Sequence, residues 1–197
     1  MPYLQVINNV QHNDYALRNL LNYVARKDKC ICGLYGVTNV LIPSYEENLP
    51  LALKNYNEAL RRFHSKGDGR YALHYIFSFA PSESRYFDPQ KVLDLGYFIA
   101  SRAFQNQVCY FSVHNHSCYR NMPGQIYYHI DMMVLTVDIM NGVLYSLSKP
   151  GGYRILHDLM EYMKKYVPEN DISKPIVFCG RTHRDNNEGY QEIELQY

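Results

Sequence analysis

Residues 113–134 read VHNHSCYRNMPGQIYYHIDMMV, in which one strand-like run ends in His114 and His116 and a second opens with His129 and Asp131. No helix-forming pattern lies between them, so an antiparallel pairing is expected; parallel neighbours need a crossover, usually helical. Side chains alternate along a strand, which puts His114 and His116 on one face of their run and His129 and Asp131 on one face of theirs. If the two runs are neighbours, these groups converge on one point of a sheet. Two imidazoles and a carboxylate meeting in this way can hold a divalent ion and leave positions open for an oxygen ligand. A single strand-end histidine is more often satisfied by the backbone, so the clustering carries this reading.

The pattern around this stretch is consistent with one domain. Residues 3–7 hold enough β-formers for a strand. From Asp14 to about Arg26, Leu17, Leu20, Leu21 and Val24 recur at helical spacing. Residues 33–42 read as strand and turn. Ser44 with Glu47 resembles a capping box for a helix reaching about His64, against which Pro50 is the objection. Residues 71–79 (YALHYIFSF) are strand-like, and Asp88 with Pro89 starts a helix to about Phe104. Residues 108–114 and 127–137 are the two runs of the opening stretch. Gly151-Gly152 reads as a turn before a last helix over 153–167, and a final strand is expected at 176–179. The fold class is therefore α+β: a two-layer sandwich with a mainly antiparallel sheet of about five strands and helices packed on one face of it. A single domain is expected over residues 1–197, its core about 3–145, followed by a C-terminal helix and tail at 146–197.

Composition narrows the function classes. A net charge of +1 argues against a broadly basic surface for non-specific nucleic-acid binding, while leaving room for a local basic cleft. No apolar run approaches the ~20 residues of a membrane span, and the first residues lack the pattern of a secretion signal. The five cysteines (Cys30, Cys32, Cys109, Cys118, Cys179) are odd in number and unevenly spaced, which favours free thiols in the cytoplasm. Tyrosine is the oddity, at 20 residues with no tryptophan. Tyrosine stacks on bases, fills cores or acts as a nucleophile, so its abundance alone selects no role.

Three blocks, LLNYVARKDK, LHYIFSFAPSE, and CYFSVHNH with YYHIDMMV, occur in the order and spacing found in the relaxase, or mobilisation nuclease, family of bacterial conjugative elements. The chain resembles that HUH-type family across about residues 3–145, with His-Ile-Asp as a variant of the histidine motif. The resemblance implies a metal-dependent endonuclease that nicks one strand of plasmid or mobile-element origin DNA and stays joined to the 5′ phosphate through a tyrosine. Tyr23 matches the nucleophile; by the residues alone it ranks no higher than Tyr15. His114 and His129 match two metal-binding histidines, Asp131 falls where a third is expected, and His116 is an additional ligand candidate. His74 and Ser78 match a His-x-x-x-Ser-Phe pattern beside the catalytic region.

The residue types suit that chemistry. A tyrosine hydroxyl has a pKa of ~10 and needs a base or nearby positive charge to attack at neutral pH. A divalent cation on the phosphate stabilises charge developing in the transition state. Aspartate is a harder ligand than imidazole and favours Mg²⁺ or Mn²⁺. Lys27, Lys29, Arg61, Arg62, Lys66 and Arg70 are candidates to line a DNA cleft, or simply a solvated face. The expected partners are single-stranded or origin DNA and other mobilisation proteins, in a bacterial cytoplasm with no membrane contact. Two other readings stay open: a catalytically impaired DNA-binding protein of this fold, and a replication initiator of the same nuclease class. The loop SCYRNMPGQIYY, longer than the family's and lacking its acid, and Asp131 motivate the first.

Overall fold

A computed structural model describes residues 3–7, 14–26, 28–40, 49–63, 71–115, 127–143 and 147–180. The chain runs β1 (Tyr3–Ile7), α1 (Asp14–Val24), β2 (Cys30–Thr38), α2 (Leu49–Phe63), β3 (Ala72–Ser78), the short α3 (Pro81–Ser84), α4 (Pro89–Ala103), β4 (Cys109–Asn115), β5 (Tyr128–Leu135), α5 (Lys149–Met163), a 3-10 turn at Glu169–Asp171 and β6 (Ile176–Gly180). Among the described residues the six strands form one sheet in the order β2-β4-β5-β3-β1-β6. Every pairing is antiparallel except β1 with β6. The α+β class and the mainly antiparallel sheet follow the sequence expectation.

The helices cover both faces of the sheet, where the pattern suggested one. On one side Tyr75, Phe77, Phe111, Val113, Ile130 and Met132 pack under α4 and α5 with Leu95, Ile99, Leu156 and Leu159. On the other, Tyr110, Met133 and Leu135 pack under α1 and α2 with Leu17, Leu21, Val24 and Tyr56. The reason for the difference lies in β4 and β5. Ser112, His114, His129 and Asp131 alternate with apolar residues and look like a solvent face, yet each is buried.

Local signals explain the element ends. Asp88 caps α4 by accepting from the Lys91 backbone N–H at 2.8 Å, with Pro89 at the first helical position. Pro50 falls in the first turn of α2, where a missing N–H costs nothing, so it opens that helix instead of kinking it. The Ser44 capping box lies outside the described residues. Gly151 and Gly152, expected in a turn, belong to the first turn of α5, which Ser148 caps. A Cβ on Gly152 would meet Leu4 at 3.1 Å and Val177 at 3.2 Å, so glycine lets α5 lie close on β1 and β6. Gly33, at φ 69°, sits in the register shift between Cys30 and Tyr35 that bends β2 around β4. No helix among the described residues is long and apolar enough to cross a membrane.

Candidate metal centre

The β4–β5 register sets Ser112 opposite Asp131 and His114 opposite His129, with all four on the face that α1 and α2 cover. The β3–β5 register sets Ile76 opposite Asp131 and Ser78 opposite His129. His74, two residues before Ile76, is therefore a diagonal neighbour of Asp131 on the same face. The three imidazoles surround one carboxylate. His74 Nε2 lies 2.7 Å from Asp131 Oδ1, His114 Nδ1 2.6 Å from Oδ2 and His129 Nε2 3.3 Å from Oδ2. Burial raises the Asp131 pKa, but the imidazoles of His114, His129 and His74 more than reverse this and hold the carboxyl well below its usual range.

The His114 tautomer follows from its other nitrogen. Nε2 lies 2.8 Å from the Val24 carbonyl oxygen and 2.9 Å from Ser112 Oγ, and Ser112 Oγ also bonds that carbonyl. A carbonyl can only accept, so Nε2 carries a proton and donates it. The Val24 carbonyl belongs to the last turn of α1, where helix carbonyls lack intrahelical partners, and these side chains satisfy it. In the neutral ring Nδ1 is then a lone pair. It is buried and close to Asp131 Oδ2, but the contact lacks the alignment of a hydrogen bond. Two lone pairs at 2.6 Å call for a positive charge between them, a proton or a cation.

One ring nitrogen of His114, one of His129 and a carboxylate oxygen of Asp131 lie within 4.8 Å of one another. Two imidazole nitrogens and one hard oxygen suit a divalent cation, and the outer hydrogen bonds to His114 and Asp131 are those that orient metal ligands. The residues fit a resident metal ion, on the evidence of the unsatisfied His114 nitrogen.

Tyr23, in the last turn of α1, stands over this cluster. Its ring makes a T-shaped contact with His74 at 5.4 Å between centroids, and the Arg26 guanidinium lies 4.3 Å from its ring centre. Burial and the Asp131 charge raise the Tyr23 pKa, while the Arg26 cation opposes them. The residue is 36% exposed, so Tyr23 borders both the buried cluster and solvent.

No protein-family model matches the chain, and no curated sequence relative does. Solved structures do. The MobM relaxase domain (MOBV; Mob_Pre), Mn-bound at pH 6.8 with a 22-nucleotide oriT DNA of plasmid pMV158 carrying a 3′ thiophosphate, superposes with a TM-score of 0.50. The identity is 12%, over 97% of this chain and 95% of that one. The same domain, Mn-bound at pH 5.5 with the 22-nucleotide oriT DNA, gives a TM-score of 0.49 at 13% identity and the same coverage.

The fold is that of a relaxase domain.

Within this relaxase fold the expected residues fare differently. His114, His129, Asp131, His74 and Tyr23 come together as described, and Ser78 sits half-buried on the same face opposite His129. His116, Lys27, Lys66 and Arg70 lie outside the described residues. Lys29 sits in the connection from α1 to β2, and its carbonyl accepts from the Asn115 N–H at 3.4 Å. Arg61 and Arg62 both pair with Glu58 on exposed α2, at 2.7 and 2.6 Å. Three participants escaped the sequence argument: Ser112, the Val24 carbonyl and Arg26. Ser112 precedes His114 by two residues on an otherwise apolar strand, and Arg26 follows Tyr23 by one helical turn; both spacings were signals. The carbonyl left none, because every residue has one.

Proposed function

We propose that this chain is a relaxase-type DNA strand transferase. It nicks one strand of plasmid or mobile-element origin DNA, with Tyr23 as nucleophile and His114, His129 and Asp131 as the ligands of Mg²⁺ or Mn²⁺, in a variant His-Ile-Asp arrangement of the HUH motif. The observation that carries this is the position of Tyr23: its ring lies against His74, which bonds the carboxylate of the buried metal-type cluster. The likeness of fold to MobM, itself bound to oriT DNA and Mn, supports the substrate class.

In the step, Tyr23 Oη attacks the phosphorus. A phosphotyrosine ester forms on the 5′ side, the P–O3′ bond breaks and the 3′ oxygen leaves as a hydroxyl. The ester bond retains its energy, so the free 3′ hydroxyl can reverse the step and rejoin the strand. When bound, the divalent cation supplies charge neutralisation at the phosphate oxygens and at Asp131. Arg26 favours the phenolate by standing on the Tyr23 ring, and Asp131 disfavours it while its own charge is uncompensated. Ser78 and the basic residues Lys27, Lys29, Arg61, Arg62, Lys66 and Arg70 are the proposed contacts for the strand, with His116 an added ligand.

Incubation with single-stranded origin oligonucleotides and Mn²⁺ should yield a denaturation-resistant protein–DNA adduct that Tyr23→Phe abolishes. Persistence of the adduct in the variant would remove Tyr23 from the role. The Asp131 charge, which raises the Tyr23 pKa, favours one second reading: a DNA-binding protein of this fold that does not cleave. Strand binding without cleavage in any divalent metal would select it.

A further inference from the structure

His74 matches no ligand position in the cluster, yet it is 4% exposed and bonds the carboxylate as closely as the ligand candidates do. Asp131 is 1% exposed, so its two oxygens depend on neighbouring side chains for donors. Oδ2 is turned toward His114 and His129, and Oδ1 lies 2.7 Å from His74 Nε2. A buried carboxylate oxygen without a donor is costly, and a carboxylate with one uncommitted oxygen can pivot about its Cβ–Cγ bond. A carboxylate oxygen accepts, so across the 2.7 Å contact with Oδ1 it is the His74 Nε2 that donates. The same ring carries the Tyr23 edge contact at 5.4 Å, so one imidazole touches both the metal-type carboxylate and the tyrosine.

We propose that His74 is a positioning residue: through its Nε2–H bond to Oδ1 it holds Asp131 with Oδ2 presented to the cation. The proposal rests on the reading of the cluster as a metal centre and is independent of whether the chain cleaves DNA. Outer hydrogen bonds of this kind set ligand orientation, and their loss typically weakens metal affinity 10–100-fold. Glutamine keeps an N–H donor of similar reach; phenylalanine keeps the ring for Tyr23 and removes the donor.

Calorimetric Mn²⁺ titration of the full chain tests this. His74→Phe should bind Mn²⁺ about 10–100-fold more weakly than the wild type, and His74→Gln should recover most of that loss. Unchanged affinity in His74→Phe, or equal loss in both variants with folding intact, would overturn the proposal. A second measurement needs no variant: nitrogen-detected NMR of the wild-type histidines should find His74 protonated on Nε2, and the opposite tautomer would overturn it. A wild type that takes up no Mn²⁺, or a His129→Ala variant that binds as well as wild type, would overturn the metal centre and the proposal with it. Failure of adduct formation alone would count only against the nicking reaction.

Discussion

The two faces of β3, β4 and β5 are made from alternate residues of the same strands and have opposite characters. Toward α4 and α5 the strands present Tyr75, Phe77, Phe111, Val113, Ile130 and Met132, a continuous apolar layer. Toward α1 and α2 they present His74, Ser112, His114, His129 and Asp131, all buried, with apolar neighbours such as Tyr110, Met133 and Val24. Burying such polar groups costs about 1–3 kcal/mol each wherever a partner is missing, so the second face holds together only as a mutually bonded set. One face supplies stability by area. The other holds a buried, mutually bonded polar cluster in place and relies on the first to do so.

Perturbing each face in turn tests this division, and the largest effect is expected on the apolar side. Phe111 is fully buried, and a Cβ on Gly36 or Gly96 would sit 2.2 or 2.5 Å from its ring, so its slot is closely fitted. Phe111→Ala should cost about 3–5 kcal/mol in urea denaturation. Mn²⁺ affinity of the folded fraction should stay at the wild-type value; a parallel loss would mean that the two faces are not separable.

On the other face, Mn²⁺ at a hundred times its dissociation constant should stabilise the wild type by about 2.7 kcal/mol. The gain, followed by thermal unfolding, should vanish in His129→Ala. A gain that survives there would place the bound ion elsewhere.

The next effect belongs to alkaline pH. Burial on the apolar face pushes the Cys109 thiol up to about 12. A folded pKa above the unfolded one means that its contribution is fully present below the ordinary thiol range and is lost as pH rises towards about 12. Between these limits each pH unit should remove about 1.4 kcal/mol. The stability-against-pH slope of Cys109→Ala should be shallower by that amount in metal-free protein, and equal slopes would contradict the assignment. Tyr56, also raised by burial, remains in both proteins and cancels in the comparison.

The smallest effect should be that of Tyr23→Phe on stability, within about 0.5 kcal/mol, because the residue is partly exposed. A loss several times larger would make Tyr23 part of the packing of α1 and weaken its place in the chemistry.

Much of this was legible in the linear pattern. Period-two alternation located the strands, and the helix-free connection made β4 and β5 antiparallel neighbours, which brings His114 to His129 and aligns Asp131 with them. Asp88-Pro89 marked the start of α4 because capping is a local interaction. The second helix layer was not legible, since a polar alternation reads the same whether it faces water or a buried site. The early start of α5 depended on what Gly152 packs against, and Leu4 and Val177 are far from it in sequence.

By itself, then, the sequence determined which residue types recur at strand spacing, and so which imidazoles and carboxylate share a face. That much is set by backbone geometry alone. Only the tertiary structure decided that this face is buried, that the last turn of α1 lends a carbonyl to fix the His114 tautomer, and that Tyr23 lies against His74 with Arg26 on its ring. Those relations depend on how a helix some ninety residues upstream lies on the sheet, which is set by packing across the whole core and not by local spacing.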